Sequence, residues 1–187
     1  MRISKSVLAA TTALAAISIA LTGCTATATP DPMASHDMGS MGQNVKVADD
    51  VMFAQMMIPH HMQAITMSAY AKDNAKNPQV LALAKLIYNE QGAEIATMKS
   101  WLNGATVPTN MMSNGMLSDA QMKELAAAKG ADFDKLFLEG MTQHHKGAIT
   151  MAEAFANSKV AALKDLARNI IKVQTVEISL MKLLAKQ

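Results

Sequence analysis

The sequence predicts an all-α protein, a four-helix bundle built from two repeated helical hairpins with a short extra helix between them. Three observations predict this fold. Aromatic residues make up only 4% of the 187-residue chain, which is rich in Met and Ala, and such a composition disfavours a β-sheet. No segment alternates apolar and polar residues as a half-buried strand does. A long motif also occurs twice, which indicates a repeated supersecondary unit.

The repeat defines the two hairpins. Residues 53–67 recur as residues 137–151, at an offset of 84, with eight of fifteen positions identical. A second match follows each copy at an offset of 83: Gln91, Glu94, Ile95 and Met98 recur as Gln174, Glu177, Ile178 and Met181. The one-residue difference falls between the helices, where a loop absorbs it. We therefore expect a bundle domain over 45–187, with repeats at about 46–103 and 132–185.

Local signals divide the repeats into long helices near 46–73, 78–103, 132–156 and 159–185. Asn77-Pro78 is an N-cap followed by Pro at the first helical position, and Asn103-Gly104 supplies a stop. Ser118 and Gln121 fit a capping box for the short helix, which should end near Lys129-Gly130.

The starts of the last two long helices and one internal residue need separate arguments. Asp132 or Asp134 can begin the third long helix, where a first-turn carboxylate is favoured by the helix dipole. Ser158 can cap the fourth long helix. Pro59 lies inside the first one and lacks the N–H of a helical residue, so we expect a kink there.

The N-terminal residues have the features of a targeting signal, and we do not expect them to be part of the folded domain. Arg2 and Lys5 precede an apolar run that is shorter than the roughly 20 residues of a membrane span. The run ends in Leu-Thr-Gly-Cys24, which resembles a bacterial lipoprotein box. We expect a lipoprotein signal peptide at 1–23 and a lipid anchor on Cys24; the alternative is an ordinary secretory signal with an incidental Cys. Loss of Arg2 and Lys5 lowers the formal net charge from +2 to zero, so nothing indicates nucleic-acid binding.

Residues 24–44 have the composition of a flexible linker. The linker contains four side chains that could bind copper: Met33, His36, Met38 and Met41. An equal alternative is that the linker is only a spacer and contains these residues by chance. A second Met-containing segment follows the second long helix, with Met111, Met112 and Met116.

Four of the five histidines form two doublets at matching positions of the repeat, His60-His61 and His144-His145. At about 100° per residue, both rings of a doublet can border one inward-facing stripe. Methionines stand three, four, six or seven residues away on the same faces: Met57, Met67, Met141 and Met151. These spacings stack imidazole and thioether groups on successive helical turns.

Imidazole binds several metals, but thioether favours Cu(I) or Ag(I) over zinc or ferric iron. The sequence therefore predicts a soft-metal site at the doublets. Glu94 and Glu177, each three residues after Gln91 and Gln174, could orient a ligand histidine through its second ring nitrogen, or could be ordinary surface acids. A diiron or dimanganese bundle needs a Glu three residues before a ligand histidine, and no doublet histidine has one.

The duplicated Met-x-x-His-His-x-x-Ala-Ile-x-Met motif and its trailing Gln-x-x-Glu-Ile-x-x-Met resemble a bacterial extracytoplasmic family long labelled a domain of unknown function. That resemblance implies a ferritin-like four-helix bundle over roughly 45–187, and some members of the family bind copper and are linked to copper resistance. It also implies copper ligation by the four doublet histidines, with the four flanking methionines as thioether partners. The copies differ after the doublet, with Met62-Gln63 in the first and Lys146-Gly147 in the second, so the two sites need not be equivalent.

We expect a lipid-anchored copper-binding protein on the extracytoplasmic face of the membrane, with copper, as Cu(I), as its metal partner. It would sequester or transfer the ion rather than act as an enzyme. Two alternatives remain at this point: a redox metalloenzyme of the ferritin-like type, and a structural or interaction module whose histidines are only polar groups of the core.

Overall fold

The computed structural model of the chain describes residues 48–109 and 114–187. Its helices are α1 (Asp49–Asn74), α2 (Pro78–Trp101), the short α3 (Asp119–Ala127), α4 (Gly130–Glu153) and α5 (Ala161–Leu184). α1 packs against α2 and α4 packs against α5, so each repeat is a helical hairpin, and contacts between α1 and α4 join the two hairpins. No β-strand occurs in the two described ranges. The predicted all-α four-helix bundle with a short extra helix is confirmed.

Several predicted features lie outside the described residues. They include the signal peptide with Cys24, the linker residues Met33, His36, Met38 and Met41, and the pair Met111 and Met112. Among the helices that are described, none has both the length and the apolar character needed to span a membrane.

Two helix starts follow the local signals in the sequence. The Asn77 side chain accepts a hydrogen bond from the Gln79 backbone N–H at 2.9 Å, with Pro78 at the first position of α2. Ser118 and Gln121 form both hydrogen bonds of a capping box at the start of α3. Positive φ angles at Asn103 and Gly104, 45° and 87°, follow the end of α2, which is the backbone conformation expected of a helix stop.

Two other starts differ from the prediction. α5 begins at Ala161 with Val160 as its N-cap, and the Ser158 hydroxyl accepts the Val160 N–H in the turn before the helix. α4 begins at Gly130, so Asp134 lies beyond the first turn and is not a helix-start residue. Its carboxylate instead accepts backbone N–H groups of the α1–α2 loop, from Lys76 at 3.1 Å and Asn77 at 2.8 Å. α1 runs without a break through Pro59, and the predicted kink there stays a prediction.

Buried apolar side chains form two clusters on opposite sides of the histidines. The Phe53 cluster takes residues from the first half of α1 and the second half of α4; the Phe137 cluster takes the second half of α1 and the first half of α4. α1 and α4 therefore run antiparallel, and the polar histidines separate two apolar halves of the core. Representative members are Phe53, Met57, Ala148 and Ala152 in the first, and Ala64, Met67, Phe137 and Met141 in the second.

Candidate metal centre

The two histidine doublets meet in the middle of the bundle, where α1 faces α4. All four imidazole side chains are fully buried, at 0% relative exposure. The rings of His60 and His144 lie with their centroids 3.7 Å apart and their planes tilted by 38°. The structure thus brings together the residues that the repeat had marked 84 positions apart.

Within each doublet the two rings diverge. Their centroids are 6.4 Å apart in both copies, because successive helical residues project about 100° apart. His60 and His144 form a central pair, which we call the inner histidines. His61 and His145 turn toward the second helix of their own hairpin, and we call them the outer histidines.

Each outer histidine is held by a glutamate. His61 Nε2 donates to Glu94 Oε2 at 2.8 Å, and His145 Nε2 donates to Glu177 Oε2 at 2.7 Å. The Glu177 side chain is 6% exposed and that of Glu94 is 14% exposed, so neither is an ordinary surface acid. The orienting hydrogen bond considered for these glutamates is present in both repeats.

The inner histidines are held by main-chain oxygens. His60 Nε2 donates to the carbonyl oxygen of Asn114 at 3.0 Å, and His144 Nε2 donates to the carbonyl oxygen of His60 at 2.9 Å. The Asn114 contact was not foreseen, because no sequence pattern shows which residue after α2 returns to α1.

All four rings leave Nδ1 without a hydrogen-bond partner, although each Nδ1 is buried. A carboxylate or main-chain carbonyl oxygen only accepts, so Nε2 must carry the ring proton. In the neutral ring Nδ1 then holds the unshared electron pair. Buried polar atoms without partners are rare and costly, and an imidazole nitrogen of this kind is a ready metal ligand.

Burial keeps the inner histidines neutral. Loss of hydration, reinforced by the neighbouring His61, lowers the pKa of His60 to about 3. Burial, followed by the effect of His60, also lowers the pKa of His144 well below its usual value. At neutral pH these two rings are therefore uncharged, each with a single proton on Nε2. At the edge of the site, burial and then the nearby Glu177 raise the pKa of Glu90.

Methionine side chains lie on both sides of the histidine layer. Met57, Met67 and Met141 are fully buried, and Met151 is partly buried. Met57 and Met151 belong to the Phe53 cluster or pack against it, and Met67 and Met141 belong to the Phe137 cluster. Each apolar half thus contains one candidate thioether from α1 and one from α4.

Two further methionines join these groups. Met98 is fully buried in the Phe53 cluster, and its repeat counterpart Met181 is fully buried in the Phe137 cluster. The sequence identifies these two residues only as matching positions of the repeat and not as candidate ligands. Their spacing could have indicated them, because they follow Glu94 and Glu177 by four residues and so lie on the same helical face.

Methionine sulfurs are candidate ligands beside the imidazole nitrogens. Within residues 48–109 and 114–187, no group of three or more His, Cys, Asp or Glu side chains is arranged to hold an ion. A thioether ligand in addition to imidazole would suit a soft cation.

The family model described as Domain of unknown function (DUF305) matches residues 50–185. This chain belongs to the DUF305 family. The match spans both repeats and all four doublet histidines, so the family suggested by the duplicated motif is confirmed. The chain matches none of the curated proteins with which it was compared.

Solved structures of similar proteins share this fold. A Streptomyces coelicolor protein described as secreted is 33% identical, with a TM-score of 0.67, over 73% of this chain and 92% of that one. CopM in its Cu(I)-bound form is 32% identical, with a TM-score of 0.64, over 75% of this chain and 97% of CopM. CopM in its Cu(II)-bound form is 34% identical, with a TM-score of 0.63, over 73% of this chain and 95% of CopM.

This DUF305 chain also has two buried amides beside its glutamates. Gln91 and Gln174 are 3% and 2% exposed, and neither the oxygen nor the nitrogen of either amide has a hydrogen-bond partner. They occupy equivalent places in the two repeats. Matched buried amides without hydrogen-bond partners are unusual in a folded protein.

Proposed function

We propose that this protein binds copper, as Cu(I), on the extracytoplasmic side of the membrane and serves to sequester or transfer it. The observation that carries the proposal is the set of four buried imidazoles with Nε2 hydrogen-bonded and Nδ1 unpaired. Support also comes from CopM, a similar protein whose solved structures are described as Cu(I)-bound, Cu(II)-bound and Ag-bound.

The ligands are the Nδ1 atoms of the four doublet histidines together with methionine sulfurs. The thioether candidates are Met57, Met67, Met141 and Met151, joined by the buried Met98 and Met181. Imidazole and thioether are neutral ligands that match a soft monovalent ion, and a thioether needs no deprotonation before it binds. Zinc, which prefers thiolate, imidazole and carboxylate, is a poorer match.

The glutamates hold the outer rings in the orientation that a ligand needs. Glu94 and Glu177 accept from Nε2 and thereby direct Nδ1 away from themselves, as outer hydrogen-bond partners of metal-binding histidines do. Gln91 and Gln174, three residues before the two glutamates, supply buried amide groups that have no hydrogen-bond partner.

A lipid anchor on Cys24 holds the domain at the outer face of the membrane. The linker side chains Met33, His36, Met38 and Met41 and the segment with Met111, Met112 and Met116 deliver copper to the bundle. Incorporation of a labelled fatty acid tests the anchor: the parent protein should take up the label and Cys24→Ser should not. A parent protein without the label would exclude lipidation as the means of attachment.

Competition with a Cu(I) chelator tests copper binding. All proteins carry Cys24→Ser, because an unlipidated thiol would itself compete for Cu(I). A variant with Ala at His60, His61, His144 and His145 is compared with a control that has Ala at the exposed Thr66 and Thr150 of α1 and α4 and keeps both doublets. We expect the quadruple variant to lose the tightest copper equivalents and the control to keep them.

A second variant guards against misfolding of the quadruple histidine protein. It carries Leu at Met57, Met67, Met141 and Met151, since Leu and Met have similar volumes and cores tolerate the exchange. The proposal fails if circular dichroism shows both variants folded and both retain the stoichiometry and affinity of the parent protein.

A further inference from the structure

Residues 114–117 cross the bundle where α1 meets α4, and we call them the strap. On the α1 side, one glutamine holds the strap through two hydrogen bonds to the same residue. Gln63 Nε2 donates to the Leu117 carbonyl oxygen at 2.9 Å, and the Leu117 N–H donates to Gln63 Oε1 at 2.8 Å. Satisfying both main-chain groups of Leu117 fixes the position of the strap along α1.

On the α4 side, the strap rests directly on the helix backbone. A Cβ at residue 147 would lie 1.8 Å from the Asn114 carbonyl oxygen, and a Cβ at Gly115 would lie 2.7 Å from the Gln143 carbonyl oxygen. Gly115 also has a φ of 82°, which side chains with a Cβ rarely adopt. Only glycine at 147 therefore allows the strap to approach this closely.

The strap supplies the group that holds one inner histidine. The Asn114 carbonyl oxygen accepts from His60 Nε2, whereas His144 uses the His60 main-chain oxygen instead. Gln63 and Gly147 occupy the same position of the two repeats, three residues after His60 and His144. The two repeats thus differ in sequence at the position that contacts the strap, with Gln63 on α1 and Gly147 on α4.

We infer that the strap makes the two inner histidines unequal, and that Gln63 and Gly147 are positioning residues for His60. By holding the Asn114 carbonyl in place, they fix the ring with its proton on Nε2 and its electron pair on Nδ1. An effect of this ring orientation on copper affinity rests on the proposed function. The effect of the strap on the orientation and proton position of the His60 ring does not depend on the proposed function.

The test reads the ring directly. Nitrogen NMR of the metal-free full chain distinguishes protonated from unprotonated ring nitrogens in each histidine. Gly147→Ala should move the ring nitrogen signals of His60 and leave those of His61 and His145 in place. Gly92→Ala is the matched control, because a Cβ there meets only Ile65 Cδ1, at 4.0 Å.

Gln63→Leu provides a second way to loosen the strap, since it removes both hydrogen bonds to Leu117 without adding bulk beneath Asn114. It should change the same His60 signals. In Cu(I) competition in the Cys24→Ser background, either variant should weaken one class of sites by about tenfold to a hundredfold, as loss of an outer partner does, and leave the rest unchanged.

The outcomes separate the two claims. Unchanged His60 signals in both folded variants overturn the inference, whatever the copper result. If Gly147→Ala does not fold, Gln63→Leu decides alone. A parent protein that binds no Cu(I) removes the proposed function, while the NMR comparison still supports or overturns the role of the strap.

Discussion

At the scale of single residues, two adjacent histidines have different surroundings. His60 packs against His144 at the centre of the bundle, while His61 reaches a glutamate on α2. The same division is found in the second repeat. Both kinds of ring keep one nitrogen engaged and one unpaired, so the hydrogen-bond partners, rather than the histidines alone, determine which nitrogen can bind an ion.

Removal of a glutamate partner should therefore affect both stability and copper binding. Glu177→Ala leaves the buried His145 N–H without an acceptor, which costs about 1–3 kcal/mol of unfolding free energy. Urea unfolding measures it. Glu177→Gln should recover most of the loss, because its amide oxygen can accept. Glu94→Ala should cost less, because the Glu94 side chain is more exposed. Equal losses for Ala and Gln at 177 would contradict the hydrogen-bond explanation.

Methionine-to-leucine exchanges should separate copper binding from stability. Met57→Leu and Met141→Leu keep the core volume, so each should cost less than about 1.5 kcal/mol in urea unfolding. Loss of the thioether should lower Cu(I) affinity by about tenfold or more, because a ligand matters at least as much as an outer partner. Met122→Leu on α3 is the control and should leave affinity unchanged. Parent-like affinity in both exchanges would show that these sulfurs are not ligands.

At the scale of elements, the two hairpins are joined by polar contacts to main chain as well as by packed apolar faces. Asp134 of α4 binds two consecutive N–H groups in the loop between α1 and α2. The carboxylate is buried, so the two hydrogen bonds are largely shielded from water. One side chain of the second hairpin thus fixes the turn of the first.

Asp134→Ala should be strongly destabilising. It leaves two backbone donors without an acceptor, and each hydrogen bond to a charged group contributes about 1.5–3 kcal/mol. Urea unfolding should show a loss of about 3 kcal/mol or more. Asp132→Ala is the control: this exposed first-turn residue should cost less than about 1 kcal/mol. Similar losses at both positions would show that the contacts to the loop contribute little.

The elements that the sequence predicted correctly are those with local causes. The Asn77 cap and the Ser118 capping box depend on residues two or three positions apart, so a short stretch of sequence contains the whole signal. Asp134 and the strap depend on residues more than fifty positions apart. Their partners exist only after the hairpins have packed, and one sequence without a structure does not reveal them.

The candidate site divides in the same way. Repeat spacing and helix periodicity brought the doublets and their methionines to one interior, because both follow from the 3.6-residue turn. The sequence indicated Glu94 and Glu177 as possible partners of the histidines, but it left open whether they were surface acids. A helical periodicity does not show how deeply a face of the helix is buried. The Asn114 carbonyl could not be named, because main-chain acceptors have no signature in the sequence.

At the scale of the whole molecule, a layer of four imidazoles separates two apolar halves of one core. Unpaired polar nitrogens in such a layer work against folding. An ion that binds them would remove this cost and stabilise only the folded state. Its binding should therefore raise the free energy of unfolding of the complete domain.

Silver should raise the melting temperature of the metal-free Cys24→Ser protein. Free Ag(I) at one hundred times the dissociation constant adds about 2.7 kcal/mol, or roughly 5–10 °C for a domain of this size. Thermal melts followed by circular dichroism measure the shift. Zinc at the same concentration is the control and should shift the melt less, as thioethers are poor zinc ligands. No response to silver would favour the structural-module alternative.

The complete burial of the four rings has a kinetic consequence. All four are fully buried, so an ion in solution could not meet them by diffusion alone. An ion that binds as proposed would have to reach them while the helices are briefly parted, and it would leave the same way. The speed of loading would then follow the frequency of these openings, and a tighter bundle would hold its cargo longer without any change in the atoms that bind it.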